Sequence, residues 1–153
     1  MNVVDTSGWI AFFFGDDNVE SFAPLVEDTA HLIVPTVCLY EVFKKINAVA
    51  DEAKALQVVA QMKQGRIVEL TEAIALRAAL VSLKHHLPMA DSIILTTAWM
   101  AEATLWTQDD HFSGLPGVEY IKPRSKVSSG ASGVTPSPTG GSGKIRNVQK
   151  RGP

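Results

Sequence analysis

The sequence predicts an α/β fold in which a parallel β-sheet is covered by helices on both faces. Short runs rich in Val, Ile and Leu alternate along the chain with longer segments of helical character, an alternation typical of parallel sheets. The chain has 153 residues, of which 46% are apolar. That length and composition favour one globular domain with a hydrophobic core of its own.

Five strands are predicted from short apolar runs that end at turn residues or at helix-start residues. The predicted strands cover residues 2–5, 31–35, 66–70, 104–107 and 118–121. Pro35 ends the second strand, because proline cannot donate a hydrogen bond to a neighbouring strand.

Six helices are predicted in the segments between these strands. The first opens at Thr6 or Ser7, and the others cover residues 17–29, 36–50, 51–64, 71–86 and 88–102. Thr36 and Thr71 are expected to cap the helices that they begin. Pro88 suits the first position of the last helix.

Charge and composition divide the chain into two parts. Residues 1–124 carry 9 Lys and Arg against 16 Asp and Glu, a net charge of −7. Residues 125–153 carry 5 Lys and Arg and no acid, a net charge of +5. Because Gly, Ser, Thr and Pro dominate this second part, we predict one globular domain over 1–124 and a flexible basic tail over 125–153. The predicted domain lacks the broad basic surface of a general nucleic-acid binder.

The remaining bulk features indicate a soluble cytoplasmic protein. Cys38 is the single cysteine, so no internal disulfide can form. The N-terminus lacks the basic segment of a signal peptide, and no apolar run reaches the roughly 18 residues of a membrane span.

Four acidic residues lie at strand ends or in the opening turns of helices: Asp5, Glu41, Asp91 and Asp109. In an open α/β sheet, ligands bind beyond the carboxyl ends of the strands, where the strand order reverses. A strand order of 3-2-1-4-5 would place that reversal between the first and fourth strands, so that Asp5 and Asp109 would face one crevice. Clustered carboxylates repel one another unless a cation shares the site. A divalent, oxygen-binding metal is therefore the expected partner.

Each acid also has a structural interpretation. Asp5 can act as a helix N-cap, which does not exclude metal binding. Asp91 falls on the apolar stripe of its helix, where an unpaired charge is costly, and a buried cap interaction is the alternative. Glu41 points away from the core stripe of its helix and, taken alone, reads as a solvated glutamate.

Two adjacent acids follow the fourth strand. Asp109 is preferred over Asp110 because a spacing of two residues from Thr107 keeps the same face of an extended chain. Ordinary turn chemistry is the alternative for both.

Four short motifs, in this order and spacing, carry a resemblance to a known family. They are the opening VVDTS, the pair Tyr40-Glu41 after a strand that ends in proline, the pair Ala90-Asp91 at a helix start, and the run LWTQD at 105–109 followed by His111-Phe112. Over about residues 1–124 the chain resembles PIN-domain ribonucleases, in particular the VapC toxins of toxin–antitoxin pairs.

The resemblance implies a PIN-like three-layer α/β/α sandwich with strand order 3-2-1-4-5. It also implies a Mg²⁺ or Mn²⁺ site formed by Asp5, Glu41, Asp91 and Asp109, with Ser7 and Thr107 at hydroxyl positions that help to order the site. VapC-type toxins cleave structured RNA such as tRNA or ribosomal RNA, form homodimers, and are neutralised by a cognate antitoxin.

The chemistry implied is metal-assisted hydrolysis of RNA phosphodiester bonds, which requires no dedicated side-chain base. Lys44, Lys45 and Arg77 are candidate phosphate contacts, with solvated helix charges as the alternative. His85 and His86 are interpreted as helix-end residues. His111 could approach the crevice, but a turn histidine that packs beside Phe112 is the preferred interpretation.

Three other functions share part of this pattern. A phosphoacceptor receiver domain needs an Asp after the third strand, where this chain has Glu69-Leu70-Thr71. A haloacid-dehalogenase-like phosphatase needs Asp-x-Asp after the first strand, where this chain has Asp5-Thr6-Ser7. A non-catalytic PIN-like module that binds RNA or protein stays open, although pure binding would not need four acids.

Overall fold

The computed structural model describes residues 1–124, and the predicted tail 125–153 lies outside the described residues. Five strands form one sheet in the order β3-β2-β1-β4-β5, and every neighbouring pair is parallel. The strands are β1 Asn2–Val4, β2 Leu32–Pro35, β3 Arg66–Val68, β4 Thr104–Thr107 and β5 Val118–Tyr120. The predicted fold class and strand order are confirmed.

Six α-helices flank the sheet, as predicted. They are α1 Thr6–Phe14, α2 Val19–Glu27, α3 Thr36–Val49, α4 Glu52–Met62, α5 Glu72–His85 and α6 Met89–Met100. A short 3-10 helix, Asp110–Phe112, follows β4 and was not predicted. The observed strands β1, β3 and β5 are shorter than the predicted ones, because their last residues turn away to begin the loops and helices that follow.

The helix starts agree only in part with the expected capping. Thr71 caps α5, since its Oγ1 accepts a hydrogen bond from the Ile74 N–H at 3.3 Å. The expectation for Thr36 was wrong: Pro35 occupies the N-cap of α3, and Thr36 Oγ1 accepts from the Leu70 N–H at 3.2 Å. Pro88 precedes the first helical residue of α6, because its ψ of 159° is extended rather than helical.

The core is formed by the central strands and by the aromatic side chains of α1. Trp9, Phe12 and Phe13 are at most 1% exposed. Gly8 allows α1 to approach its neighbours closely, because a Cβ there would lie 2.5 Å from the Phe22 ring and 2.7 Å from Val4. This packing fixes the start of α1, and with it the residues that follow β1. Cys38, the single cysteine, is buried.

Within residues 1–124, no helix is long and apolar enough to cross a membrane.

Candidate metal centre

Asp5 lies directly after β1, at the carboxyl edge of the sheet, and is only 3% exposed. Three hydrogen bonds converge on its Oδ2: from the Ser7 N–H at 3.1 Å, the Ser7 hydroxyl at 2.7 Å and the Thr107 hydroxyl at 2.9 Å. Burial raises the pKa of Asp5, although these hydrogen bonds oppose the rise. Asp5 therefore serves as the N-cap of α1 and is held at the end of β1, next to β4, where the strand order reverses.

Ser7 and Thr107 join the ends of β1 and β4, which are neighbours in the sheet. Ser7 Oγ accepts a hydrogen bond from the Gln108 N–H at 3.1 Å, and Thr107 Oγ1 accepts from the Asp109 N–H at 2.9 Å. The two hydroxyls thus orient the Asp5 carboxylate and hold the loop that carries Asp109. The resemblance implied that both hydroxyls help to order a metal site, and that role stays a prediction.

Glu41 lies on α3 and reaches back to the first residue of α1. Its carboxylate accepts a hydrogen bond from the Thr6 hydroxyl at 2.5 Å. Partial burial is the main cause that raises its pKa, and repulsion from Asp5 and Asp109 adds to the rise, whereas Thr6 and Lys44 oppose it. Helical spacing alone suggested a solvated side chain, but the observed Glu41 is half-buried. It is also close enough to Asp5 and Asp109 for their charges to raise its pKa.

Asp91 lies in the first turn of α6, and its side chain is 15% exposed. Burial, followed by repulsion from Asp5 and Asp109, raises its pKa to about 6. The helix N-terminus offers a partial positive charge that relieves some of this cost. Pro88 occupies the N-cap of α6, and within residues 1–124 this helix start has no side-chain cap hydrogen bond, so the cap interaction considered for Asp91 is not observed.

Asp109 follows β4 and faces Asp91, whereas Asp110 is exposed to solvent. The Asp109 carboxylate accepts a hydrogen bond from the His111 N–H at 3.0 Å and so begins the 3-10 helix. His111 Nδ1 lies 3.2 Å from both Asp91 Oδ2 and Asp109 Oδ1. Asp91, Asp109 and His111 each have a potential metal-ligand atom within 4.8 Å of those of the other two residues.

His111 is the residue that sequence reasoning undervalued. The preferred interpretation was a turn histidine beside Phe112, yet its ring contacts the acids directly. The available signal was its spacing of two residues from Asp109. In the tight turn of a 3-10 helix, this spacing brings the ring over the capping carboxylate.

The predicted phosphate contacts lie in two different places. Lys44 is close enough to Glu41 to lower its pKa, and its Nζ lies 5.8 Å from the centre of the exposed Tyr40 ring. Lys45 is exposed on the same helix. Arg77 lies on α5, in the wall of a groove formed with Leu80 and Trp99. In the described part of the chain, none of the four acids lines that groove.

An open cleft of about 380 Å³ adjoins the acidic cluster. Its lining residues come from α1, from the loop after β4 and from the end of the sheet: Ser7, Gln108, Asp109, Asp110, Tyr120 and Pro123. Its polar lining and position leave room for an extended polar ligand beside Asp109.

The donor set fits a hard divalent cation. Carboxylate oxygens are the ligands that Mg²⁺ and Mn²⁺ accept, and here repulsion from Asp5 and Asp109 helps to raise the pKa of Glu41 and of Asp91. A bound cation would replace that repulsion by attraction.

The two histidines at the end of α5 lie where the sequence predicted them: His86 is the C-cap of α5, and the His85 ring packs at 5.9 Å from the Trp99 ring.

Comparisons with known proteins agree with the fold. The family model described as "PIN domain" matches residues 3–118. No curated protein sequence matches the chain. Among solved structures, a chain of a toxin–antitoxin complex from Klebsiella pneumoniae is 22% identical with a TM-score of 0.68, and the match covers 81% of this chain and 100% of that one.

Two further structures are similar. VapC20 of Mycobacterium tuberculosis, described as a Sarcin-Ricin loop cleaving toxin, is 17% identical with a TM-score of 0.65, covering 76% of this chain and 95% of that one. A chain of the DNA-bound VapBC of Salmonella typhimurium is 14% identical with a TM-score of 0.62, covering 78% and 96%. At sequence identities this low, the structural similarity establishes a shared fold and nothing more.

Proposed function

Because the chain belongs to the PIN domain family, we propose that it is a Mg²⁺- or Mn²⁺-dependent endoribonuclease, the toxin of a VapBC-type pair, acting in the cytoplasm. The observation that carries the proposal is the approach of Asp91 and Asp109, from distant points of the chain, to within 4.8 Å of one another and of His111. Burial raises the pKa of Asp91 and of Glu41, and repulsion from Asp5 adds to the rise, so both lie within the electrostatic influence of Asp5. The proposed nuclease domain is residues 1–124.

The acids have complementary roles in this proposal. Asp5, Glu41, Asp91 and Asp109 would hold the cation, which would stabilise charge on the scissile phosphate and make a water molecule acidic enough to attack it. Ser7 and Thr107 fix the orientation of the Asp5 carboxylate by donating to Oδ2. Burial of Asp5 and Asp91 keeps competing water from these carboxylates, which strengthens their attraction for a cation.

RNA is the proposed substrate, with tRNA or ribosomal RNA as the target class. The described domain carries a net charge of −7, so phosphates would be held by the metal and by a few local cations. Lys44 and the exposed Tyr40 ring lie beside Glu41, where an aromatic face and a cation suit a single-stranded base and its phosphate. Lys45 extends the same surface, and Arg77 would contact a more distant part of the RNA.

Two protein partners belong to the proposal. One is a cognate antitoxin, supported by the toxin–antitoxin assemblies among the similar structures. The other is a second copy of this chain, supported by an exposed apolar stripe on α5 in which Leu76, Leu80 and Leu83 are 64%, 68% and 76% exposed. Contiguous apolar patches of this kind mark protein interfaces.

The α5 stripe suits an antiparallel pairing of two copies. The three leucines lie at spacings of four and three residues, so they share one helix face. Glu72 stands at the start of the helix and Lys84 near its end. Antiparallel pairing of α5 with α5 of a second copy would bring each glutamate near the other copy's lysine, and the leucines together. The groove of about 680 Å³ beside the stripe, with Trp99 and Met100 in its wall, would accept the partner's side chains.

Cleavage of total RNA by the purified protein tests the function. We expect cleavage with Mn²⁺ or Mg²⁺ and none with EDTA. Asp5→Asn should lower the rate at least about a hundredfold, because it removes the most buried carboxylate of the site. Asp17→Asn, a change of an exposed acid in the loop between α1 and α2, should leave the rate within about twofold, as expected for a solvated side chain.

The outcome also separates enzyme from binding module. RNA binding without any divalent-dependent cleavage would favour the non-catalytic PIN-like module. Cleavage that survives Asp5→Asn would show that the acids are not the catalytic centre.

A further inference from the structure

His111 presents one ring nitrogen to two carboxylates at once. Its Nδ1 lies 3.2 Å from Asp91 Oδ2 and 3.2 Å from Asp109 Oδ1. A ring nitrogen carries either one hydrogen or one lone pair, so it can form a single well-directed hydrogen bond. Two equal contacts near the long end of the hydrogen-bond range are a weak arrangement for that purpose.

The same spacing suits three atoms that share a cation. In six-coordinate geometry with ligands at about 2.1 Å, adjacent ligand atoms lie about 3 Å apart. Both contacts of Nδ1 are close to that value. The three donor atoms lie within 4.8 Å of one another, a limit somewhat above the roughly 4.2 Å between opposite ligands in that geometry, so it is the two contacts of Nδ1 that fit a single coordination sphere.

We propose that His111 is a nitrogen ligand of the metal centre, and that it makes the site prefer Mn²⁺ and similar transition-metal ions over Mg²⁺. The inference rests on the proposed metal-dependent function. Imidazole binds transition metals well, whereas Mg²⁺ prefers oxygen ligands and retains its water. A site of four carboxylates alone would not favour transition-metal ions over Mg²⁺, whereas a site that adds one imidazole would.

The local structure holds the ring in place although its side chain is 56% exposed. The next residue, Phe112, is fully buried in the core, and the His111 N–H donates to Asp109 Oδ1 at 3.0 Å. The backbone of the 3-10 helix is thus fixed on both sides of the ring. Exposure of the remaining ring edge leaves space for an ion and its waters to enter.

Binding of Mn²⁺ and Mg²⁺ to the purified full-length protein tests the inference without any turnover. We would measure Mn²⁺ affinity by electron paramagnetic resonance, Mg²⁺ by competition, and ¹⁴N coupling to the bound Mn²⁺ by electron spin-echo spectroscopy. His111→Gln should weaken Mn²⁺ binding about tenfold or more, as loss of groups that support metal sites does, and should abolish the ¹⁴N signal. Mg²⁺ affinity should fall by less than about threefold, because Mg²⁺ can replace a ligand with water.

His31→Gln is the matched control. His31 also contacts an aspartate, Asp28, through Nδ1 at 2.9 Å, but it lies on the surface before β2. This variant should retain the affinity and the ¹⁴N signal. A second variant, His111→Asp, restores a ligand of the oxygen type, so its ratio of Mn²⁺ to Mg²⁺ affinity should fall below that of the natural chain without recovering the ¹⁴N signal.

The outcomes distinguish the inference from the function on which it rests. Mn²⁺ bound to the natural chain without ¹⁴N coupling, or with coupling unchanged in His111→Gln, would overturn the histidine ligand and leave the carboxylate site intact. If the natural chain binds neither ion, the metal-dependent function fails, and the histidine ligand with it.

Discussion

Replacing Asp91 by Asn should stabilise the metal-free protein at neutral pH while it abolishes metal binding. Asp91 is held among other acids and largely out of water, so its charged form is unfavourable in the folded chain. Asparagine has nearly the same size and no charge. Asp91 would thus lower the free energy of unfolding while it contributes to the metal site, a trade-off that is common at functional sites.

The magnitude follows from the pKa of Asp91, which burial and two neighbouring acids raise from 3.8 to about 6. A raised pKa means that the folded chain binds the proton more tightly than the unfolded chain, so this contribution to stability is complete below pH 3.8 and is lost as the pH rises through about 6. A difference of about 2 pH units is worth about 3 kcal/mol. Asn loses the favourable interaction with the helix N-terminus, about 0.5–1 kcal/mol, so we expect a net gain of about 2 kcal/mol at pH 7.5.

Urea unfolding in EDTA between pH 4 and 8 measures this effect. The free energy of unfolding of the natural chain should fall relative to that of Asp91→Asn as the pH rises from 4 to 7. The two curves should converge near pH 4, where Asp91 is largely protonated. Asp110→Asn should instead follow the natural chain at every pH.

A destabilisation by Asp91→Asn that is the same at pH 4.5 and 7.5 would refute this reasoning. It would mean that the carboxylate stabilises the fold through contacts that do not depend on its charge. Addition of Mn²⁺ gives a second check, because a ligand that binds the folded chain stabilises it by mass action. Mn²⁺ should raise the stability of the natural chain and leave Asp91→Asn unchanged.

Three further predictions concern the dimer, the core and the tail. Leu80→Glu should weaken self-association by about two to four orders of magnitude, since burial of a leucine contributes about 1.5–3 kcal/mol in each copy. Analytical ultracentrifugation measures this, with Leu56→Glu on α4 as the control. A dimer that is unchanged by Leu80→Glu would exclude α5 from the interface. Gly8→Ala should lower the free energy of unfolding by about 1–3 kcal/mol through overpacking against Phe22, and a neutral effect in urea unfolding would contradict the close approach of α1. Removal of residues 125–153 should reduce the salt dependence of RNA binding, because five cationic side chains are lost; an unchanged salt slope would exclude the tail from RNA contact.

The fold was predictable because its signals are local. Apolar runs that alternate with helical segments specify a parallel sheet wherever they occur, and Thr71 caps its helix through a side chain three residues from its partner. Predictions failed where a distant residue competed for the same group. Thr36 had every local feature of a cap, but its hydroxyl is used by Leu70, 34 residues later.

The candidate site shows the same division. The acids at strand ends and helix starts could be identified from the sequence, since that depends on the position of each residue within its own element. Glu41 turns toward Thr6, and His111 lies between Asp91 and Asp109, because of how the elements pack in the folded chain. The Thr6–Glu41 and Asp91–His111 contacts join residues far apart in the chain, and their energies arise from shared burial and from charges brought close together by packing. Spacing within one turn could indicate that His111 approaches Asp109, but no local spacing carries information about its approach to Asp91.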